Sequence, residues 1–575
     1  MKLCEIEIKR FRSIEKCNVR VASVCALVGE NNVGKSSLLR ALNSFFNLDD
    51  EKQFFYNSSH EYSPRSQPRI ILTFSDLPQD QDIQRASHLG LLKVELKYIP
   101  KSKNFTLSYK NPNPTNIGLD FIEKIKKYVD FVFIPPTRSK EELKWQEERA
   151  IKRVVSALLK DKFKARDTVT PKFSNAADYL QNNALKQISN KLNDYYGDRS
   201  AFDFDLRFSS KIHFSDFLSD LEFTITENGS AHRIDDCGNG VQSLAIIALY
   251  RMLASLNSAN IIIGIEEPET NLHPQSQKQL VKRILTPAHN AFESQVIFTT
   301  HSTVIIDSLG HENIILFRKQ KDQSRGFYTE VAQVRYDFWI HYDIEQLKYY
   351  KFHNYRNSDF FYSRLIIIVE SSTDAEVVKQ LLMQRGLDID DYPVSILNLD
   401  GIHNLKYPFF LLKELGLSYV LIVDKDFFVD YSNGNLKESR YGNGFPKYSS
   451  SYSDEDFVKN IITSRSERND LLALLRSNHS RALDLLEKHN LICMKYNLET
   501  DLVASDTASQ LFFGKLNVPP ANQSKYELLV NRHKQIKSPE NLSYVVANTP
   551  HKNLPNSFKR IKNVLERLIK GTVNE

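Results

Sequence analysis

The sequence predicts an α/β protein in which a phosphate-binding domain precedes a second domain built on a parallel sheet. Three observations predict it. Gly29-Glu30-Asn31-Asn32-Val33-Gly34-Lys35-Ser36 is a complete GxxxxGKS loop between an apolar run at 21–28 and a helical spacing of Leu38, Leu39, Leu42, Phe45 and Phe46. The apolar run 261–265 ends in Glu266-Glu267. Leu365–Val369 ends in Glu370, and Tyr419–Val423 ends in Asp424 and Asp426. Uninterrupted apolar runs of strand length, alternating with helices, are the mark of strands covered on both faces.

Taken in order, residues 1–46 read strand, strand, loop, helix, and a strand at 69–74 is followed by two more before Pro100. Residues 139–197 read as long helices rich in Lys, Glu, Asn and Gln, an insert of about 139–200 in a β-rich stretch. Strands return at 202–208 and 221–226, a helix starts near Val241, and buried strands follow at 261–265 and 295–300. Residues 336–363 are aromatic and polar without clear periodicity, which places the junction there and divides the chain into 1–350 and 351–575. A chain of 575 residues exceeds one ordinary core, so two or more domains are expected.

Hydrophobic residues make up 41% and charged residues 25%, the balance of a globular protein. Lys+Arg exceed Asp+Glu by 76 to 70, which permits nucleic-acid binding but does not argue for it. The five cysteines form no CxxC pair, so reduced thiols in the cytoplasm are expected rather than zinc. No apolar run is long enough to span a membrane, and the chain opens in an alternating strand rather than a leader.

A P-loop wraps phosphates with backbone N–H groups at a helix N-terminus. Here Gly29, Asn31, Asn32 and Gly34 would form the cradle, Lys35 would face the β/γ-phosphates, Ser36 would ligate Mg²⁺, and Ser37 would follow in the helix. Glu266 suits the metal and Glu267 the attacking water. His301, in Thr299-Thr300-His301-Ser302 after the next strand, stands where a γ-phosphate sensor is needed. The Gly-rich turn at 237–243 carries Gly238 and Gly240 and opens a helix whose N–H groups could meet a second subunit's ATP.

In the other half, Asp424 and Asp426 are an i, i+2 pair in extended chain and face the same way. Glu370 closes a neighbouring strand, and Asp374 and Glu376 begin the next helix. Carboxylates at the carboxyl ends of parallel strands are the ligand set of metal-assisted phosphodiester chemistry.

The order of P-loop, Gly-rich turn, Glu-Glu-Pro-Glu-x-x-Leu-His-Pro and Thr-His-Ser resembles the ABC-type ATPases of the SMC, RecF and OLD (overcoming lysogenisation defect) group, as does the opening at 8–15. Glu266 replaces the commoner aspartate, and the turn is not Leu-Ser-Gly-Gly-Gln. The C-terminal half resembles a Toprim domain at 365–376, 399–404 and 422–426, with Ser371 where glycine is frequent. Residues 497–502 are similar to the OLD Asp-Leu-Glu-x-x-Leu segment, with Asn497 departing, which implies Glu499 and Asp501 as further metal ligands. The resemblance also implies a lysine near the C-terminus, with Lys552 as the candidate, and dimerisation helices in the insert.

The joined resemblance implies an ATP-regulated DNA endonuclease or nickase using Mg²⁺ (or Mn²⁺), in bacterial defence against phage or foreign DNA. Such a protein acts as a homodimer or larger even oligomer, alone or beside a companion helicase or a reverse transcriptase with its RNA. The alternative is a non-cleaving RecF/SMC-like ATP-dependent DNA-binding repair protein. The acids at Glu370, Asp424, Asp426 and Glu499 argue against it, because a clamp needs no clustered carboxylates.

Overall fold

The computed structural model describes residues 1–110, 114–136, 154, 179–196, 203–208, 221–227, 229–256, 260–282, 294–322, 326–345 and 358–574. They form two compact units, Met1–Gln333 and Val334–Glu575. The division falls before the expected boundary at 350. The cause is local: the Arg335 N–H donates to the Glu414 carboxylate at 2.7 Å and Trp339 stacks on Tyr407, all within the second unit.

The first unit holds three sheets. Strands β1 (Lys2–Phe11), β2 (Ile14–Arg20), β4 (Arg69–Ser75), β5 (Leu92–Ile99), β6 (Asn104–Tyr109) and β7 (Thr115–Ile117) make an antiparallel sheet in the order β2-β1-β4-β5-β6-β7. Strands β3 (Val24–Val28), β8 (Val129–Ile134), β12 (Asn260–Ile265), β13 (Gln295–Thr299) and β14 (Ile314–Asp322) form the parallel core, β14-β3-β13-β12-β8, with β15 (Gly326–Ala332) antiparallel at its edge. Between them in sequence, β9 (Asp203–Phe208), β10 (Leu221–Glu227) and β11 (Ser230–Arg233) pair as a small antiparallel sheet. Helix α1 (Lys35–Phe46) follows β3 and packs Leu38, Leu39, Leu42 and Phe45 into the core between the two large sheets. Gly264 on β12 leaves room for its neighbours: a Cβ there would come within 2.6 Å of the Phe131 ring of β8 and 3.3 Å of Leu39 of α1. Of the expected helical insert at 139–200, the described part is residue 154 and a helical run through Gln181–Leu185 and Lys186–Tyr196; the remainder lies outside the described residues.

The second unit is built on four parallel strands, β16 (Leu365–Val369), β17 (Val394–Asn398), β18 (Tyr419–Val423) and β21 (Leu491–Cys493), in the order β17-β16-β18-β21. A short hairpin, β19 (Val429–Tyr431) with β20 (Tyr448–Tyr452), follows β18. All five residues of β16 are buried, as the unbroken apolar run requires. The chain passes from β16 to β17 on one side and to β18 on the other, so the order reverses between β16 and β18. Crevices outside such a reversal, at the carboxyl ends of the strands, are where open α/β sheets place their chemistry. Glu370 and Asp424 flank this one.

Gly29 sits at φ +141°, and a Cβ built on it would lie 2.0 Å from the Phe317 carbonyl oxygen on β14. Gly29→Ala is therefore expected to lower the stability of the first unit by about 2 kcal/mol or more and to abolish ATP binding, read by denaturant unfolding and nucleotide titration. Parent-like behaviour in both would contradict the close approach of β14 to the loop.

Candidate functional site

In the first unit the loop from Gly29 to Gly34 joins β3 to α1, with Asn32 (φ 61°) and Gly34 (φ 104°) in left-handed conformations that turn the backbone N–H groups inward. The Lys35 ammonium folds back to donate to the Gly29 and Glu30 carbonyls at 2.8 and 2.6 Å, bonds that phosphate oxygens would replace. Burial lowers its pKa to about 8 against the opposing pull of Glu267, Glu269 and Glu30. Ser36 donates to Glu266, the two metal-side groups expected from the sequence. Burial raises the Glu266 carboxyl, while Ser36, Arg40 and Arg12 oppose the rise. Ser37 Oγ lies 3.3 Å from Ser13 Oγ.

Glu267 adopts φ 44°, held by its N–H donating to the Thr299 side-chain oxygen at 3.0 Å. His301 is lowered by burial and then by Lys35, with Glu267 opposing, so lysine, glutamate and imidazole share one pocket. Glu269 orients this corner: it accepts from Thr300 Oγ1 at 2.9 Å and from the His301 N–H at 2.7 Å. Gly238 and Gly240 flank the start of a long helix, α3 (Asn239–Leu256). A Cβ on Gly240 would stand 2.5 Å from the Asn271 carbonyl, whereas Gly238 faces open space. Gln242 braces the turn through the Ile234 and Cys237 carbonyls.

In the second unit, Glu370 ends β16 and Asp374 caps α4 (Ser372–Met383) through a reciprocal box with Ser371. Asp424 ends β18, Asp426 follows in a short turn, and Glu499 lies in the first turn of α5 (Leu498–Ala504). Four of these acids are raised by burial and by their acidic neighbours, Glu499 among the latter. Burial, then Asp426 and Asp374, push Glu370 to about 7. Burial and four acidic neighbours, Asp374 first, drive Asp424 well above the carboxylate range. Burial also raises Asp426 and Asp374, and Tyr431 of β19 donates to Asp426. Burial opposes ionisation of Glu499 too, but His533 at 3.2 Å and Lys537 outweigh it and hold that carboxyl low. Lys537 is raised in turn by Glu499, Asp424, Asp374 and Glu370.

Among the described residues no three of these side chains stand at ligating distance from one point. Their chemistry nevertheless suits a hard divalent cation, being all oxygen, with five acids facing one lysine and one histidine. An excess of buried negative charge of this kind is what a divalent ion neutralises.

Two family models match. Residues 24–307 match "AAA domain, putative AbiEii toxin, Type IV TA system", and residues 361–426 match "Overcoming lysogenization defect protein-like, TOPRIM domain". The second model ties residues 361–426 to the OLD-like Toprim domain, and OLD nucleases align over most of the chain. An OLD nuclease of Thermus scotoductus is 23% identical over 455 residues, 74% of this chain and 82% of that protein. The Old nuclease of Escherichia phage P2 is 22% identical over 474 residues, 74% and 78%. An endonuclease GajA of Bacillus cereus is 32% identical over 187 residues, 30% of this chain and 27% of that protein. The chain thus carries a P-loop ATPase fold followed by a Toprim domain.

Two of the residues expected as metal ligand and lysine have other contacts. Asp501 is buried and accepts from the Lys495 and Tyr496 N–H groups at 2.8 and 2.9 Å and from Ser557 Oγ at 2.5 Å. It fixes the loop that delivers Glu499. Lys552 sits exposed in a separate short turn, its carbonyl accepting from Lys559. Lys537 is the lysine that faces the acids, with His533 one helical turn before it. The i, i+4 His-Lys spacing was the available signal, but nothing in sequence ties it to Glu499. Arg40, four residues after Ser36 on the same helix face, and Arg12 were also missed; both face Glu266.

A carboxyl raised on folding holds its proton longer than in the unfolded chain. For Glu370 that contribution favours folding below the ordinary 4.5 and is lost as pH rises through about 7. In EDTA the thermal midpoint of the parent should fall across this window more steeply than that of Glu370→Gln, and Mg²⁺ should restore most of the loss. Parallel pH profiles for the two proteins would remove Glu370 from the charged cluster.

Proposed function

We propose that the protein is an ATP-gated, divalent-metal-dependent DNA endonuclease or nickase that acts against phage or other foreign DNA. The observation that carries the reading is the cluster of four raised carboxyls, Glu370, Asp374, Asp424 and Asp426, gathered with the ionised Glu499 and Lys537 beyond the carboxyl ends of β16 and β18. Nuclease-named relatives aligned over 74% of the chain support it. Glu370, Asp424, Asp426 and Glu499, with Asp374 behind them, would hold Mg²⁺ or Mn²⁺. A divalent ion bound there supplies Lewis acidity and lowers the pKa of attacking water. Glu370, at the end of β16, would serve the ion as a ligand or the attacking water as its base. Lys537 supplies positive charge toward the scissile phosphate, and Tyr431 keeps Asp426 oriented.

ATP would bind between the P-loop and a second subunit's Gly238–Gly240 turn, making the active form a homodimer or larger even oligomer. Lys35 and Ser36 position the phosphates, and Glu267 with His301 senses or hydrolyses the γ-phosphate. A companion helicase, or a reverse transcriptase with its RNA, is compatible with this architecture.

Supercoiled plasmid incubated with the full chain and Mg²⁺ should become nicked or linear. Asp424→Asn or Asp426→Asn should reduce the rate on the order of a hundredfold or more with ATP binding retained. Intact plasmid with the parent, with or without ATP, would favour the non-cleaving clamp; undiminished cleavage by both variants would remove the acids from catalysis. In the same assay Lys537→Ala should lose most activity while Lys552→Ala keeps it. The reverse ranking would restore Lys552.

A further inference from the structure

A cavity of about 570 Å³ opens in the first unit between α2 (Leu48–Tyr56) with its following loop and the β5–β6 turn. It is lined by three tyrosines, Tyr56, Tyr62 and Tyr98, and three cations, Arg65, Lys101 and Lys103. None of the residues assigned to either site above lines it.

Its charge is positive in balance. Among the described residues the side chains of Arg65, Lys101 and Lys103 make no ion pair or hydrogen bond. The one lining carboxylate, Glu61, keeps its charge but is held to its own loop, accepting from Ser58 Oγ at 3.0 Å and from the Arg65 N–H at 2.8 Å. Three cations against one carboxylate leave an excess of positive charge to face a ligand. Their backbone is fixed: Arg65 and Lys103 lie at φ 64° and 50°, and Lys101 sits in the turn opened by Pro100. Ser66 Oγ braces the loop by accepting from the Tyr62 and Ser63 N–H groups.

The aromatic part is equally set. Tyr98 is buried against Phe55 and Phe105, with ring centroids 5.1 and 4.9 Å away, and forms a rigid floor. Tyr56 rests its ring 6.4 Å from Phe105 yet stays 46% exposed, so one of its faces is free. An exposed aromatic face beside an excess of cations is the chemistry that stacks a planar ring and neutralises a phosphate. The volume is that of a small-molecule site.

We propose that this cavity binds a nucleotide unit, its ring on Tyr56 and its phosphate on Arg65, Lys101 and Lys103, supplied either by a free mononucleotide or by a single strand of DNA. The assignment does not depend on the nuclease reading. The test is fluorescence anisotropy of a labelled oligothymidylate with the full chain in EDTA and without ATP, with unlabelled thymidine monophosphate as competitor. Tyr56→Ala and the pair Lys101→Glu, Lys103→Glu should each weaken binding about tenfold or more, with circular dichroism and ATP binding unchanged. Competition by the mononucleotide identifies the free form as a ligand, and binding of the oligomer alone identifies the strand. The proposal is overturned if the parent binds neither probe, if the cavity variants bind like the parent, or if Lys35→Ala abolishes binding and thereby moves the site to the P-loop.

Discussion

The constraint on which the second unit depends is the confinement of like charges. Five carboxyl groups end up at one edge of a four-stranded parallel sheet; burial and acidic neighbours raise four of them, while His533 and Lys537 hold Glu499 low. Such a group is costly to fold unless something offsets it. The unit spends much of its architecture on that offset: Lys537 and His533 face Glu499, Ser371 caps Asp374, and Tyr431 donates to Asp426. The buried strands beneath, and the Asp501 bonds that fix the loop before α5, hold the acids in place. A fold with no use for the charge would place it in solvent.

The first unit treats charge in the opposite way. Its one buried cation at the loop, Lys35, is satisfied by the carbonyls of its own turn until an anion replaces them. Glu266, Glu267, Glu269 and His301 arrive from the ends of β12 and β13, the strands that flank β3 and its neighbour in the parallel core. Glycines at 29, 34, 240 and 264 mark places where backbone or side chains come closer than a Cβ permits. Steric closeness, rather than loop flexibility, is what these positions encode.

Much of this was legible because the local signals and the tertiary result coincide. An apolar run followed at once by an acid, as in Leu365–Val369 then Glu370 and Tyr419–Val423 then Asp424, implies both a covered strand and a carboxylate at its end. The P-loop, the Glu266-Glu267 pair and His301 fall at strand ends for the same reason. What escaped depends on tertiary pairing. Glu499 and Asp501 are two residues apart on one helical turn, and sequence cannot say which faces the cluster and which bonds Lys495, Tyr496 and Ser557. Lys537 reaches Glu499 from an element 38 positions away (537 − 499), whereas Lys552 looked equally basic. Arg12 and Arg40 meet at Glu266 from β1's exit and from α1. The domain boundary moved because Arg335 and Trp339 find partners in the second unit, which composition does not reveal.

The central claim is that the acidic edge of the Toprim unit is a divalent-cation site whose carboxyls are held partly protonated until the ion arrives. Proton release on Mn²⁺ binding measures this most directly, by isothermal titration near pH 7 in two buffers of different ionisation enthalpy. The account predicts release of about one proton or more per site, reduced in Glu370→Gln and lost with the binding itself in Asp424→Asn. Binding without proton release, or binding unchanged in Asp424→Asn, would contradict it.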